Sequence, residues 1–471
     1  MSLAPRIYPA LPVWLQNLGI SLYGYSWKWE RLGGRFAQYA AEFKARDHWS
    51  ADQFQAHIES QLRSVLARAY AQVPYYRRAW RGLGLDQGDL GHFGLADLAR
   101  LPLMPKEELR RSPSDFIAQP LARARTLRRQ YSSGTTGTPI TAVLTVDGHR
   151  RFMAAREARS FGWAGVSMLE PRSMIGGRMV APKEMARPPF HRYNRPEKQL
   201  YFSAFHISPA SAPQYVATLN RYQPRVFTGY ACSHYLLGRM MLDQGLALEY
   251  EPRALILSSE KLTPPMKALL KRAFGARAYE EYGCVENCVL ATECEHGRLH
   301  VSPDFGIVEI IDDRGRPAPP GVEGRILCTS LLNEAQPLIR YAIGDLAAWA
   351  TEPCPCGRNH LPVLKEILGR LEDVVTAPDG RQMVRFHGLF IDLPKVVEGQ
   401  VIQEALDRFT IRVVALDGFG ETEAQVIRSR LVERLGKVQA TIERVPAIAR
   451  TERGKFRAVI SKLGPAAPQT R

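Results

Sequence analysis

Tyr131-Ser-Ser-Gly-Thr-Thr-Gly-Thr-Pro139 is the most informative stretch of this chain. Its two glycines allow sharp backbone turns, and successive N–H groups in such a turn form a concavity that binds anions such as phosphate. The hydroxyl side chains add rotatable hydrogen-bond donors. No lysine ends the stretch, so it is not the Walker-type loop, which ends in Gly-Lys-Ser/Thr. Taken alone, it fits either a phosphate-binding loop or a polar linker.

Size and charge exclude several classes of protein. With 471 residues the chain is too long for one core, which predicts two or three domains. A formal net charge of +16 invites a nucleic-acid partner, but the arginines are spread along the whole chain. The densest run, Arg123–Arg129, leads directly into the Ser/Thr/Gly loop, and no nucleic-acid reader motif is present. We therefore expect no nucleic acid; an anionic cofactor or a compositional arginine bias explains the charge.

The N-terminal segment and the cysteines bear on the compartment. No run reaches eighteen consecutive apolar residues, so no transmembrane helix is expected. The apolar segment Pro12–Leu22 contains polar breaks and lacks the features of a signal peptide. It fits packing against the main domain, with an amphipathic membrane contact as the alternative. Seven cysteines, an odd number, argue against a disulfide framework and for a reducing cytoplasm.

The middle of the chain alternates between short apolar runs and helical stretches. Arg225–Tyr230 and Ala254–Ser259 are runs that end in small residues, and Ile140–Thr145 predicts a strand after the loop. This alternation favours α/β layers with a largely parallel sheet. Ligands bind at the carboxyl ends of the strands in such sheets, where Gly229 and Ser259 fall.

Two domains are expected from the pattern at either end of the chain. Apolar residues recur every three or four positions from Ala51 to about Ala71, which predicts a helix that Pro74 should end. After Asp345 the pattern of residues changes, and residues 409–445 are predicted to form a strand, a helix and a strand. We expect a large domain at 1–369, whose first 100 residues are mainly helical, and a small α+β lid at 370–471.

Three further motifs follow the loop in a fixed order: Glu281-Tyr-Gly-Cys-Val-Glu286, Tyr341-Ala-Ile-Gly-Asp345 and Arg450-Thr-Glu-Arg-Gly-Lys455. Over nearly its whole length the chain resembles the adenylate-forming superfamily of acyl-CoA synthetases, adenylation domains and luciferases. The likeness is greatest to the phenylacetate–coenzyme A ligase-like branch, including members encoded with capsule-polysaccharide genes. It implies an α/β fold, with a large N-terminal adenylate-forming domain of layered sheets and a small C-terminal α+β lid domain.

The resemblance also implies a nucleotide site. Tyr282 would offer a flat face to adenine, Asp345 would accept hydrogen bonds from the ribose hydroxyls, and Glu286 would bind Mg²⁺. The alternatives are that Tyr282 is a core aromatic residue, that Asp345 is part of a turn and that Glu286 is a surface charge. The implied ATP or AMP contacts are Ser132, Ser133, Gly134, Thr135, Thr136, Gly137, Ser259, Glu260, Tyr282, Gly283, Asp345 and Arg370.

The lid would supply a catalytic lysine. An ammonium group at Lys455 can bridge the incoming carboxylate and the α-phosphate, so the resemblance makes Lys455 catalytic together with Thr136 and Glu286. The lid would turn about a hinge at Glu372 and Asp373. The family motif there is Gly-Arg-x-Asp-Asp, and this chain has Glu372 at the first acidic position, which makes the hinge role less secure.

Cysteine and histidine residues supply a second signal. Cys294 and His300 follow the Tyr-Gly motif, and Cys354-Pro-Cys356 follows Asp345. Three thiolates and one imidazole make a closed tetrahedral Zn²⁺ site of structural type, a pattern that resembles many members of the same branch. Buried free thiols remain the alternative. Other candidate ligands are His296, Cys288 and His360.

The resemblance also implies a pocket for the acid and an acceptor for the acyl group. By resemblance, Gly176, Gly229, Tyr230 and Cys284 would line the pocket for a small-molecule carboxylic acid, although Tyr230 could equally be core. We expect ATP, Mg²⁺ and coenzyme A to be bound, and a homodimer is left open. An amine or hydroxyl acceptor in polysaccharide or natural-product assembly is the second interpretation. The third is an inactive nucleotide- or acyl-binding module, which retention of Lys455 argues against.

Overall fold

A computed structural model describes most of the chain. It covers residues 8, 11–124, 126–131, 140–177, 180, 187–370, 375–379, 382–383, 386, 389–390, 393, 395–450 and 456–463.

Helices dominate the first part of the chain and cover the sheet in the middle. The α-helices are α1 (Val13–Leu32), α2 (Phe36–Arg46), α3 (Ala51–Gln72), α4 (Pro74–Arg81), α5 (Gln87–Gly91), α6 (Lys106–Arg111), α7 (Val146–Arg156), α8 (Ala212–Tyr222), α9 (Ala231–Asp243), α10 (Pro264–Phe274) and α11 (Glu421–Leu435). Short 3-10 helices span Leu95–Arg100, Pro113–Phe116 and Gln119–Leu121, and a π-helical turn, Glu157–Phe161, extends α7.

The strands form one large sheet and three small ones. They are β1 (Arg128–Tyr131), β2 (Thr141–Leu144), β3 (Arg172–Gly176), β4 (His191–Asn194), β5 (Gln199–Ser203), β6 (Val226–Tyr230), β7 (Ala254–Ser258), β8 (Arg277–Gly283), β9 (Leu290–Glu293), β10 (Leu299–Val301), β11 (Gly306–Ile311), β12 (Glu323–Ser330), β13 (Tyr341–Trp349), β14 (Val363–Arg370), β15 (Val375–Thr376), β16 (Gln382–Met383), β17 (Val396–Gln403), β18 (Arg408–Ala415), β19 (Gln439–Arg444) and β20 (Val459–Ser461).

The large sheet has twelve strands in the order β11-β12-β13-β14-β10-β9-β8-β7-β6-β3-β5-β4. The expected α/β class is confirmed, but the expectation of a largely parallel sheet was wrong. Only the pairings among β3, β5, β6, β7 and β8 are parallel, and the rest of the sheet is antiparallel. Helices α8, α9 and α10 connect parallel strands along the chain, whereas loops without a helix join the antiparallel strands from β8 to β14.

The helix expected from Ala51 is confirmed as α3. A capping box between Ser50 and Gln53 starts α3, whose apolar side chains, such as Leu62 and Leu66, are fully buried against the antiparallel half of the sheet. The helix ends at Gln72, as expected. Pro74 is the first residue of the next helix, α4, where a missing N–H costs nothing.

The C-terminal part has its own sheet and core. Strands β17 and β18 are antiparallel, with β19 and β20 added in parallel at the two edges, in the order β19-β18-β17-β20. Helix α11 buries Ile427 and Leu431 in a cluster with Val401 and Ile411. The strand–helix–strand reading of residues 409–445 matches β18, α11 and β19. The boundary at 369/370 stays a prediction; β14, the last strand of the large sheet, ends at Arg370.

Within the described residues, no helix combines the length and the apolarity needed to cross a membrane.

Candidate active site

The carboxyl ends of the parallel strands meet at one edge of the sheet. Gly229 in β6 lies opposite Ile175 in β3 and Leu257 in β7, and Tyr230 lies opposite Ser258. Gly176 and Ser259 follow Ile175 and Ser258 in sequence. This register brings together Gly176, Gly229, Tyr230 and Ser259, which were singled out from the sequence. Tyr230 is also buried in the core that α8–α10 cover, so its alternative as a core residue stays open.

The backbone at this edge has unusual conformations. Gly229 has φ +116, and a Cβ there would lie 2.0 Å from the carbonyl oxygen of Ile175, so no side chain fits. Ser259 has φ +73, in the left-handed region that residues other than glycine seldom adopt. Such strain tends to collect at functional sites, because the surrounding structure must enforce it.

Tyr282 and Asp345 are in direct contact. The Tyr282 hydroxyl donates a 2.6 Å hydrogen bond to Oδ2 of Asp345. Burial raises the pKa of Tyr282 well above its ordinary value, and the neighbouring carboxylate raises it further. Tyr282 therefore stays protonated and holds the Asp345 carboxylate in place. Arg370 lies opposite Asp345 in the β13–β14 ladder, so the backbones of these two predicted site residues are adjacent.

Glu286 is hydrogen-bonded to a residue of β13, the strand that carries Asp345. Its Oε1 accepts a 2.8 Å hydrogen bond from the hydroxyl of Tyr341, the first residue of β13, and Glu286 is only 4% exposed. Burial, followed by the Glu286 carboxylate, raises the pKa of Tyr341. A neutral hydroxyl thus fixes the glutamate without neutralising its charge, which leaves an oxygen ligand suited to a hard cation.

Cys284 faces another thiol. Its Sγ lies 3.4 Å from Sγ of Cys288, and Cys284 packs against the core beneath the antiparallel half of the sheet. Gly283 ends β8 and is exposed, and a Cβ there would lie 3.3 Å from the carbonyl oxygen of Val289. The structure therefore directs the Cys284 thiol toward Cys288; its role in the acid pocket stays a prediction.

Glu260 joins the main sheet to the C-terminal part. Its Oε2 accepts a 2.8 Å hydrogen bond from the backbone N–H of Cys232 in α9, and its Oε1 accepts one of 2.9 Å from the backbone N–H of Phe456. Beside this contact Arg450 forms an ion pair with Glu398 and lies 4.8 Å from the ring centroid of Phe456. Both Glu260 oxygens therefore accept backbone hydrogen bonds, a role that the expected nucleotide contact did not include.

Several predicted residues lie outside the described residues. They are the loop residues Ser132, Ser133, Gly134, Thr135, Thr136 and Gly137, the hinge residues Glu372 and Asp373, and Lys455. The strands that flank the loop are described: β1 and β2 are antiparallel, with Tyr131 opposite Thr141. The Gln336 side chain accepts a 2.9 Å hydrogen bond from the backbone N–H of Val143, which fixes β2.

The three cysteines and the histidine singled out as metal ligands lie together. Their ligand atoms are all within 4.8 Å of one another. Sγ of Cys294 is 3.6 Å from Sγ of Cys354, and Sγ of Cys356 is 3.4 Å from Nε2 of His300. The strand pairing of β9, β10 and β14 places Cys294 and His300 beside the loop that carries the other two ligands.

Nδ1 of His300, the nitrogen that faces away from the cluster, has its own hydrogen-bond partner. Nδ1 lies 3.0 Å from the carbonyl oxygen of Leu361, and because a carbonyl only accepts, Nδ1 carries the proton. Nε2 is thereby left as a lone-pair donor toward the cluster, the arrangement that metal-bound histidines use. The competing candidates lie elsewhere: Cys288 contacts Cys284, and Nε2 of His360 is 3.1 Å from the carbonyl oxygen of Arg46.

Comparison with known proteins finds relatives over most of the chain. A family model described as the CapK C-terminal domain matches residues 378–462. Phenylacetate-coenzyme A ligase of Thermus thermophilus is 28% identical over 404 residues, which cover 82% of this chain and 87% of that protein. Protein CapK of Staphylococcus aureus is 25% identical over 380 residues, which cover 78% of this chain and 81% of that protein.

The resemblance to the phenylacetate–coenzyme A ligase-like branch of the adenylate-forming superfamily is confirmed by these relatives. The fold agrees. A crystal structure of 2-hydroxyisobutyryl-CoA ligase in the postadenylation state superposes with a TM-score of 0.69 at 23% identity, covering 88% of this chain and 90% of that one. The same ligase in the thioesterification state superposes with a TM-score of 0.55 over 88% and 90% of the two chains.

The hydrogen-bond partners in this ligase-like chain could not be read from the sequence. Tyr282 and Asp345 are 63 positions apart, and Glu260 and Phe456 are 196 apart. Tyr341 stood inside one of the four motifs, but its contact with Glu286 depends on how β13 lies against the turn after β8. The motif order signalled that these segments meet; only the fold pairs individual atoms.

Proposed function

We propose that this chain is an AMP-forming carboxylate ligase. It would join a small-molecule carboxylic acid to AMP, release pyrophosphate, and then transfer the acyl group to coenzyme A. The observation that carries the proposal is the 2.6 Å hydrogen bond between Tyr282 and Asp345, beside the buried pair of Tyr341 and Glu286. These four residues come from two of the four motifs and meet near the carboxyl ends of the parallel strands, where α/β sheets bind ligands.

The nucleotide would lie against the end of β8. In this proposal the Tyr282 ring contacts adenine, and its hydroxyl orients the Asp345 carboxylate toward the ribose hydroxyls. Each carboxylate oxygen has two lone pairs, so Asp345 can accept from ribose while it accepts from Tyr282. Arg370, opposite Asp345 in the ladder, would contact ribose or the α-phosphate. Ser259 and Gly283, at the ends of neighbouring strands, complete the proposed nucleotide contacts.

Adenylation requires two anions to be held together. A carboxylate oxygen of the acid would attack the α-phosphorus of ATP, and the bond to the β-phosphate oxygen would break as pyrophosphate leaves. The loop 132–137 would hold the β- and γ-phosphates, with Thr136 among its hydroxyl donors, and Lys455 would contact the acid and an α-phosphate oxygen. Glu286 fits a magnesium ligand, since it is a buried carboxylate fixed by a neutral hydroxyl. A bound Mg²⁺ would neutralise phosphate charge.

The two half-reactions would use two positions of the lid. The TM-score of 0.69 against a ligase in the postadenylation state, compared with 0.55 in its thioesterification state, supports a lid arrangement suited to the first step. The contact of Glu260 with Phe456 belongs to this arrangement. We propose that Glu372 and Asp373 form the hinge, which lies just beyond Gly369 (φ +135) and Arg370.

The cluster of Cys294, His300, Cys354 and Cys356 fits a structural Zn²⁺ site. With Zn–S near 2.3 Å and Zn–N near 2.0–2.1 Å, a tetrahedral site needs ligand atoms roughly 3.5–3.8 Å apart. The observed distances of 3.6 Å between two sulfurs and 3.4 Å between sulfur and Nε2 agree with this spacing. Four protein ligands leave no open position, so the metal would stabilise the fold rather than react.

Two versions of the proposal differ in the molecule that accepts the acyl group. The phenylacetate-coenzyme A ligase relatives support coenzyme A, and so does the basic chain, whose charge of +16 would attract a polyanion. The match of residues 378–462 to the CapK C-terminal domain favours the second version, in which an amine or hydroxyl accepts the acyl group in polysaccharide assembly. All seven cysteines are free thiols, which supports a reducing cytoplasm as the location.

One experiment tests both versions. The purified protein is incubated with ATP, Mg²⁺ and a panel of aryl and acyl acids, and pyrophosphate release identifies the substrate. Coenzyme A or an amino sugar is then added to the adenylate that forms. Acceleration by coenzyme A supports the leading version, and acceleration only by the amine replaces it with the second. Absence of pyrophosphate release and of nucleotide binding with every acid would overturn the proposal.

A further inference from the structure

One face of α1 carries a stripe of large apolar side chains directed to solvent. The stripe consists of Trp14, Leu18, Leu22, Tyr25 and Trp29, which are 66%, 49%, 64%, 66% and 64% exposed. They recur every three or four residues, so they project from one side of the helix over roughly 22 Å, at about 1.5 Å per residue. Exposed apolar residues are common singly, but a contiguous row of five marks an interaction surface.

The opposite face fixes α1 against the large sheet. Gly24 is buried, and a Cβ there would lie 2.1 Å from Oδ1 of Asn194 in β4. Oδ1 of Asn17 accepts a 3.0 Å hydrogen bond from the backbone N–H of Tyr193, and the hydroxyl of Ser21 donates to the Tyr193 carbonyl oxygen at 3.3 Å. The helix therefore cannot roll to bury the stripe without losing these contacts.

The stripe is apolar, whereas the residues around it, here called its rim, are basic. The stripe contains no charged residue, and tryptophan and tyrosine favour the boundary between water and lipid. Cations surround its C-terminal half: Lys28 and Arg35 are exposed, and the Arg150 guanidinium lies 4.8 Å from the ring centroid of Trp29. Among the described residues none of these three forms an ion pair with a carboxylate.

We propose that α1 lies flat on the surface of an anionic lipid bilayer, with the five stripe residues in the headgroup region. The basic rim and the net charge of +16 would supply electrostatic attraction. A second copy of the chain fits the stripe less well. The C-terminal half of the stripe is surrounded by cations, so two equally basic copies would repel each other at this face. The inference is independent of the acyl chemistry.

Sedimentation of the full-length protein with vesicles tests the proposal. We expect binding to vesicles of phosphatidylcholine mixed with phosphatidylglycerol, weaker binding to phosphatidylcholine alone, and release by added salt. Leu22→Glu should lower the partition coefficient by about tenfold or more, because a charge replaces a central apolar contact. Leu83→Glu is the matched control, since Leu83 is 54% exposed but lies outside the stripe. It should bind like wild type.

Folding and the competing occupant are checked in the same samples. Both variants should keep the wild-type melting temperature, since neither residue is buried. Analytical ultracentrifugation reports the oligomeric state. Vesicle binding that is absent in wild type, or unchanged in Leu22→Glu, would overturn the proposal. A dimer that Leu22→Glu dissociates would overturn it in favour of the second copy.

Discussion

The backbone N–H of Phe456 donates a 2.9 Å hydrogen bond to the carboxylate of Glu260, so a residue at the end of β7 holds the segment that follows Lys455. The other oxygen of Glu260 accepts from Cys232 at the start of α9. A single carboxylate thus links three parts of the chain. If Lys455 acts in adenylation as proposed, Glu260 positions the lysine segment without touching the reacting atoms.

Replacing Glu260 by glutamine should therefore impair one half-reaction selectively. An amide presents one oxygen and one NH₂ group, so one of the two backbone donors would lose its acceptor, and hydrogen bonds to a charged group contribute about 1.5–3 kcal/mol each. We expect pyrophosphate exchange to fall by about ten- to a hundredfold. Acyl transfer from a pre-made acyl-adenylate should stay close to wild type.

The control for this prediction is Glu249→Gln, at an exposed position outside the site. It should leave both half-reactions unchanged. Equal losses in the two half-reactions of Glu260→Gln, or a lowered melting temperature that explains them, would contradict a positioning role.

Tyr282→Phe tests the nucleotide site. The substitution keeps the ring and removes the 2.6 Å hydrogen bond that orients Asp345. We expect KM for ATP to rise about tenfold with a smaller change in kcat. The lost hydrogen bond orients a carboxylate that would contact bound ribose and not the reacting atoms. Tyr279→Phe, on the same strand, is the control and should behave as wild type. An unchanged KM for ATP in Tyr282→Phe would contradict the assignment.

The cysteine–histidine cluster makes a prediction about composition and stability. Protein purified without chelator should carry about one zinc per chain, and Cys354→Ser should lose it and melt at a lower temperature. Cys232→Ser removes a thiol that lies outside the cluster and should retain the metal. Metal analysis, with melting curves before and after chelation, provides the measurement. Zinc-free protein with an unchanged melting temperature in Cys354→Ser would contradict the site.

Lys455→Ala addresses the proposed catalytic residue directly. Removing the ammonium should lower pyrophosphate exchange by about a hundredfold or more, since several kcal/mol of transition-state charge stabilisation are lost. Thioester formation from a pre-made adenylate should be spared if the lid turns after the first step. Normal exchange would mean that another residue supplies this charge. Lys462→Ala, nearby in the same part of the chain, is the control.

Much of the large-scale organisation was predictable from local signals. The α/β class followed from strands alternating with helices, and α3 and α11 followed from apolar spacing. The four residues of the cysteine–histidine cluster were also singled out in advance, because cysteines with a proline between them do not suit a packed core. These features are encoded within a few neighbouring residues, so a single sequence contains them.

The errors and omissions share a physical cause. The antiparallel half of the sheet was missed because the loops that join β8 to β14 carry no two-residue hairpin turn, and because β10 pairs with the distant β14 rather than with β11. Pro74 ends α3 as predicted, but its fixed φ also suits the first turn of a new helix, α4, which was not foreseen from the sequence. The exposed stripe on α1 was invisible too, since an apolar helix face reads the same whether a neighbour covers it or not.

A buried ion network makes the last prediction. Arg159 is fully buried and contacts Asp304 at 2.6 Å and Asp47 at 2.9 Å, and Arg46 contacts the other oxygen of Asp304 at 2.8 Å. Burial alone would raise the pKa of Asp304, but the two guanidinium groups hold it below its ordinary value. The unfolded chain therefore binds more protons here than the native one. The contribution of Asp304 to stability is thus present above pH ~4 and is lost as pH falls through the folded pKa.

Asp304→Asn should cost about 3–5 kcal/mol at neutral pH, because two buried guanidinium groups lose their shared carboxylate. Its denaturation midpoint in urea should also fall less steeply than that of wild type below pH ~4. Asp313→Asn, at an exposed position, should match wild type throughout. Parallel pH dependences in Asp304→Asn and wild type would show that another carboxylate controls acid unfolding.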